Sequence, residues 1–194
     1  MQKGPGGYYL AAGWSPDGKS LLVSSWGDNV IVRHDLASGR IVERVDVGPH
    51  PTDMLWDGGR RLFVAVANTN YVAVLDPALR VIEKINVAMT PRQPVGMTPS
   101  ALALDGGRLY VACSDANAAA VVDVSKKESA VLGFIPAGWY PTGVAALGGG
   151  RVAVLNGRGL RSFPNPKGPN PMKGGSKGEQ VEYVGRVQKG TISL

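Results

Sequence analysis

A chain of 194 residues, 44% hydrophobic and 19% charged, carries enough apolar side chain for a core and is too apolar to be intrinsically disordered. Its 27 glycines and 14 prolines exclude a helical bundle and suit short strands joined by tight turns. The lone cysteine, Cys113, excludes an intramolecular disulfide, a thiolate metal cluster and a dithiol redox pair.

The net charge of +6 is not a nucleic-acid signal once it is placed along the chain. Residues 1–149 carry 13 basic and 13 acidic groups, which cancel, so the whole excess lies beyond them. There Arg151, Arg158, Arg161, Lys167, Lys173, Lys177, Arg186 and Lys189 are spaced by Gly and Pro rather than clustered along a phosphate-tracking face. The expectation is a solvated segment with no nucleic-acid partner. No run approaches the ~18 apolar residues of a membrane helix. Met1 to Gly7 lack the apolar core of a signal peptide, so the protein is either cytoplasmic or starts downstream of its natural beginning.

From there the chain repeats itself. Gly18-Lys19-Ser20-Leu21-Leu22-Val23 recurs as Gly59-Arg60-Arg61-Leu62-Phe63-Val64, then as Gly107-Arg108-Leu109-Tyr110-Val111 and Gly150-Arg151-Val152-Ala153-Val154. Measured on Leu21, Leu62, Leu109 and Val152, the offsets are 41, 47 and 43 residues. A second anchor keeps that register: Asn29 to Asp35, Asn70 to Asp76, and Asn117 to Asp123. A third, Pro51-Thr52, Pro99-Ser100 and Pro141-Thr142, opens the later units. Three anchors in one register define units of roughly 8–50, 51–98, 99–140 and 141–194.

The second unit shows how each should fold. Thr52 to Trp56 reads as a strand, Asp57 to Arg60 as a turn, Arg61 to Ala67 as a strand and Asn68 to Asn70 as a turn. Tyr71 to Leu75 is a third strand closed by Asp76-Pro77. Val81 to Val87 mixes apolar and polar positions as a half-exposed outer strand does, with Ile82 out of strict alternation. Four antiparallel strands in about 40–45 residues make one propeller blade. The predicted fold class is therefore all-β, about four four-stranded antiparallel blades in a single partial propeller domain. Asp35, Asp76 and Asp123 recur once per unit, as a turn acceptor would, and are assigned to turns rather than to a metal ring.

The run Ser15-Pro16-Asp17-Gly18-Lys19, then Asp28 to Val32, then Asp35-Leu36-Ala37-Ser38-Gly39-Arg40-Ile41-Val42, resembles the YVTN (YncE-like) propeller repeat. It differs from WD40 repeats in lacking their Gly-His and Trp-Asp pairs. Leu132 to Thr142, Asn156 to Leu160 with Pro164-Asn165-Pro166, and Tyr183 to Ser193 are similar to propellers fused to an alkaline-phosphatase-like phosphoesterase domain. The resemblance implies a seven-bladed ring outside the cytoplasm, periplasmic or secreted. It also implies a metal-dependent catalytic domain downstream, of which this chain carries nothing.

Closing the ring matters physically, because each blade keeps its apolar faces dry on both neighbours. A half ring bares two faces of several hundred Å2, on the order of 10 kcal/mol of lost burial each. Missing chain is the first expectation for what covers them; a second copy or an unusually small closed propeller are the others.

Catalytic chemistry is not legible. His34 precedes the strand-ending Asp35 and reads as a strand residue, and neither it nor His50 belongs to a metal-spaced motif. There is no Gly-x-Ser-x-Gly elbow and no P-loop. No cofactor is expected in this segment, and a divalent metal only in a downstream domain. Residues 157–180 hold six glycines and four prolines, too broken for strand or helix, and are expected as an irregular insertion that is either solvated or docking.

The expected interaction surface is His50 in its Gly-Pro-His-Pro loop, Trp139 and Tyr140 before the last unit, and Asn156, Arg158 and Arg161 at the insertion. The functional expectation is a non-catalytic binding or scaffold module for a protein or small ligand. The alternative is the propeller part of a phosphoesterase, and a propeller lactonase with a central metal is a weaker third.

Overall fold

A computed structural model describes residues 8–161, 164–166, 168, 172 and 184–194. Its strands form four separate antiparallel meanders. The first sheet is β1 (Tyr9–Trp14), β2 (Ser20–Ser25), β3 (Val30–Asp35) and β4 (Ile41–Asp46). The second is β5 (Pro51–Asp57), β6 (Arg61–Val66), β7 (Tyr71–Leu75) and β8 (Val81–Asn86). The third is β9 (Pro99–Asp105), β10 (Arg108–Cys113), β11 (Ala118–Asp123) and β12 (Ala130–Pro136). The fourth joins β13 (Trp139–Gly148), β14 (Arg151–Gly159) and β15 (Thr191–Ser193). A single helical turn, α1 (Val184–Val187), precedes β15.

The sheets coincide with the four sequence units, and in the first three the second and third strands are the driest. In β6 and β7, Leu62 to Val66 and Val72 to Leu75 have no more than 1% exposure. Both faces of these strands are covered, which is why they read as continuous apolar runs instead of alternating. The outer strands behave otherwise: Val81 and Ile82 of β8 are exposed while Ile85 is buried.

Packing between sheets follows their order in the chain. Leu22, Ile31 and Val47 of the first interlock with Leu62, Val64, Val66, Ala73 and Leu75 of the second. Phe63, Ala65, Val72 and Val74 leave the opposite side of the second sheet for Leu102, Leu109, Val111, Ala120 and Val122 of the third. Tyr110 and Ala119 of the third meet Val152 and Val154 of the fourth. Consecutive antiparallel sheets packed face to face in this way, three of four strands and the last of three among the described residues, are propeller blades, numbered 1 to 4 below.

The repeated aspartates act locally. Asp35 accepts from the Ser38 amide (2.8 Å) and hydroxyl (2.6 Å), and Asp123 from the Ser125 amide (2.9 Å) and hydroxyl (2.6 Å). Asp76 accepts from the amide and side chain of Arg80. These bonds hold all three carboxyls below the usual carboxylate range.

The fourth unit departs from expectation in two places: among the described residues its sheet has three strands rather than four, and its second strand is longer. β14 runs on to Gly159, paired with Trp139 at the start of β13, so residues 157–159 are strand rather than the start of the irregular stretch. Backbone pairing with the long, bulged β13 overrides the low strand propensity of Gly157 and Gly159. Apart from residues 160–161, 164–166, 168 and 172, the remainder of the predicted insertion lies outside the described residues.

Candidate binding site at the mouth of the blade array

Blade-to-blade connections enter the innermost strand through a proline, and the residue before it has a positive φ in each of three connections. His50 has φ 61°, Thr98 52° and Tyr140 58°. Non-glycine residues pay a steric penalty there, and a following proline is an added restriction on the backbone. Backbone hydrogen bonds hold the conformation, at both ends of His50 and at one end of Thr98 and of Tyr140. The His50 amide donates to Asn29 Oδ1 (3.2 Å) and the Tyr140 amide to Asn117 Oδ1 (2.9 Å). The carbonyls of His50 and Thr98 accept from Ala67 N (2.8 Å) and Ser114 N (3.0 Å). In the longer connection between blades 2 and 3, Asn70 Oδ1 accepts from Gly96 N and Met97 N instead (2.9 Å each). The repeated asparagine is thus the clamp on each connection.

These residues meet around one hollow of about 650 Å3. Trp26, in the turn after β2, stacks on the His50 ring with centroids 3.7 Å apart and planes 15° apart, and Tyr8 meets Trp26 edge-on at 6.4 Å. Across the hollow lies Tyr140, with the Arg158 guanidinium 4.2 Å above its ring. Asp115 accepts from the Thr98 hydroxyl at the rim. Asp53 also lines the hollow, accepting from Leu102 N (2.8 Å) and Met54 N (2.8 Å). Burial pushes its carboxyl above the usual range against those two amides. Aromatic faces, carboxylates and hydroxyls on a rigid rim suit noncovalent capture of a polar ligand or peptide segment.

The predicted surface residues therefore divide. His50 and Tyr140 line the hollow, and Arg158 lies over the Tyr140 ring. Trp139 is 43% exposed at the start of β13, facing Gly159 across the pair. Asn156 is buried, its amide nitrogen donating to Thr191 Oγ1 (3.2 Å) and Ser193 Oγ (2.9 Å), with Oδ1 lacking a partner. It lines a second hollow with Thr142 and Leu155, and so belongs to the side of blade 4. Arg161 is exposed just past β14 and does not line the first hollow. Sequence reasoning missed Trp26, Asp53, Thr98 and Asp115, although Thr98 precedes Pro99 as His50 precedes Pro51, a signal that was present.

Cys113 is buried between blades 2 and 3, which raises its thiol to about 12. His34 sits in β3 between Leu21 and Ile41, as a strand residue. Among the described residues no group of three or more His, Cys, Asp or Glu side chains could hold a metal ion, and no helix is long and apolar enough to cross a membrane.

With sheets and rim in place, the class is a β-propeller. Solved structures agree on the fold. A hydrazine synthase from Kuenenia stuttgartiensis superposes with a TM-score of 0.62 at 23% identity, over 80% of this chain and 45% of that one. A 6-phosphogluconolactonase assigned as putative, from Bacteroides uniformis, gives 0.67 at 17%, over 78% and 48%. The WD40 repeats of RRP9 give 0.65 at 16%, over 80% and 47%. The chain thus spans about half the length of these structures. No family model matches it, and no curated protein does.

Proposed function

We propose that the chain is a non-catalytic binding module which takes a protein segment or small polar ligand at the mouth lined by Trp26, His50, Thr98 and Tyr140. The observation that carries this reading is the convergence of three left-handed, non-glycine residues, His50, Thr98 and Tyr140, on one hollow. Each costs about 1–3 kcal/mol, and such strain collects where a surface is held ready for a ligand. Screening short peptides and small polar fragments by ligand-observed NMR tests it. Hits should lose about tenfold or more in affinity on both His50→Ala and Tyr140→Ala. Hits indifferent to both substitutions contradict the reading.

A second reading rests on the resemblance of Leu132 to Thr142, Asn156 to Leu160 and Tyr183 to Ser193 to phosphoesterase-fused YVTN propellers. On it, the module belongs to a longer polypeptide acting outside the cytoplasm, in the periplasm or secreted. A metal-dependent hydrolase domain follows, the mouth shapes access of substrate to that domain, and the divalent metal is held there. The full-length polypeptide should then hydrolyse a phosphoester and lose that activity to a chelator; an inert full-length protein contradicts it. A lactonase with a central metal is the weakest reading, and metal-free, lactone-inert full-length protein ends it.

A further inference from the structure

Positions that serve the fold alone repeat from blade to blade, as Val23, Val64, Val111 and Val154 do. At the mouth the blades stop resembling one another. The first residues after β2, β6 and β10 are Trp26, Ala67 and Ser114, and the second are Gly27, Asn68 and Asp115. Two residues past the proline of blades 2, 3 and 4 stand Asp53, Ala101 and Gly143. Trp26, Asp53 and Asp115 thus depart from their own repeats, and all three line the one hollow.

Their chemistry has one sign. Asp53 and Asp115 are carboxylates, and no Lys or Arg is among the residues lining the hollow. Neither carboxylate is ion-paired among the described residues. Each Asp53 oxygen accepts one amide, from Met54 N or Leu102 N, and Asp115 accepts the Thr98 hydroxyl on one oxygen. Lone pairs therefore remain on both groups for a further donor. Burial raises the Asp53 carboxyl, and a cation beside it would lower it again. The rings favour the same charge. Tyr140 already holds the Arg158 guanidinium 4.2 Å from its ring centre, and an indole such as that of Trp26 is the strongest aromatic partner for a cation.

We infer that the mouth is selective for an organic cation, the guanidinium or ammonium group of an Arg or Lys side chain on a protein segment, held by Asp53 and Asp115 with Trp26 and Tyr140 beside it. The inference rests on the reading of the mouth as a binding site and adds the charge of what enters. A phosphate or carboxylate ligand would meet two carboxylates and no Lys or Arg in the lining, so anions are turned away. A guanidinium or ammonium group brings several N–H donors to the unused lone pairs and a positive charge to the rings, so one group satisfies both.

Capped Gly-X-Gly peptides with X as Arg, Lys, Gln or Glu, titrated against the 194-residue chain by ligand-observed NMR, test it. The Arg and Lys peptides should bind at least about tenfold tighter than the Gln and Glu peptides. Asp115→Asn, which can still accept the Thr98 hydroxyl, should cut that preference below about threefold. Asp105→Asn, at the far end of β9, should leave it unchanged. Should Asp115→Asn unfold, salt decides: going from about 50 to about 500 mM NaCl should weaken the Arg and Lys peptides and spare the Gln peptide. Methylguanidinium binding as tightly as the Arg peptide overturns the protein segment in favour of a small amine. Gln or Glu peptides that bind as well as Arg and depend on His50 and Tyr140 overturn the inference and leave the binding module standing. Silence from every probe overturns the inference, and the binding module falls with it only if the polar fragments are silent too.

Discussion

Asn29, Asn70 and Asn117 look alike in sequence yet carry different loads. Asn70 accepts two amides and donates to the Gln93 and Pro94 carbonyls, whereas Asn29 accepts one amide at 3.2 Å. Asn70→Ala should therefore cost about 2–3 kcal/mol in urea unfolding, and Asn29→Ala about 1 kcal/mol, part of it from φ 64° at Asn29. Equal costs would mean that the clamp on the longer connection is not used. Asp53 makes a pH-dependent prediction. Its folded carboxyl titrates above its unfolded value, so the folded state binds more protons and stability falls as pH rises through that window. Asp53→Asn should flatten that pH dependence while costing stability at every pH, because its Nδ2 cannot accept from Met54 N or Leu102 N; a variant that keeps the parent's pH dependence contradicts this. Sequence periodicity located the asparagines but not their role, because the clamp binds a loop some 20 or more residues away. Backbone strain at His50, Thr98 and Tyr140 was equally hidden, since tertiary bonds impose it.

Strands and turns were the legible level. Apolar runs and Gly-Arg, Asn and Asp anchors placed the sheets to within a residue or two, because local turn chemistry and β propensity agree along most of the chain. The extension of β14 to Gly159 was not legible, since pairing with β13 decides it. Nor was the tie that Arg61 makes between blades. Its guanidinium bonds Asp57 at 2.7 Å and reaches the Val124 and Lys126 carbonyls of blade 3. Asp57 is desolvated, which raises its carboxyl, but the bonds from Arg61 and Arg60 outweigh this and hold it low. Arg61→Ala should cost about 2–4 kcal/mol, because it leaves a largely buried carboxylate with only the exposed Arg60 as partner and removes the tie to blade 3. Arg60, 78% exposed, should cost under about 0.5 kcal/mol on the same change. The stability from Asp57 is present above its unfolded pKa and is lost as pH falls through the lower folded value.

At the scale of the molecule, stability comes from sheets stacked in chain order, with the second and third strands of the two middle sheets buried between neighbours. The repeat makes this stacking legible in the sequence, whereas the geometry of the mouth depends on side chains brought together from different blades. Amide hydrogen exchange resolved by residue tests the stacking most directly. Slowest exchange should recur at β2–β3, β6–β7 and β10–β11, in step with the 41- and 47-residue offsets, while β4, β8 and β12 exchange faster. A single continuous protected block, or protection out of step with the repeat, would contradict it.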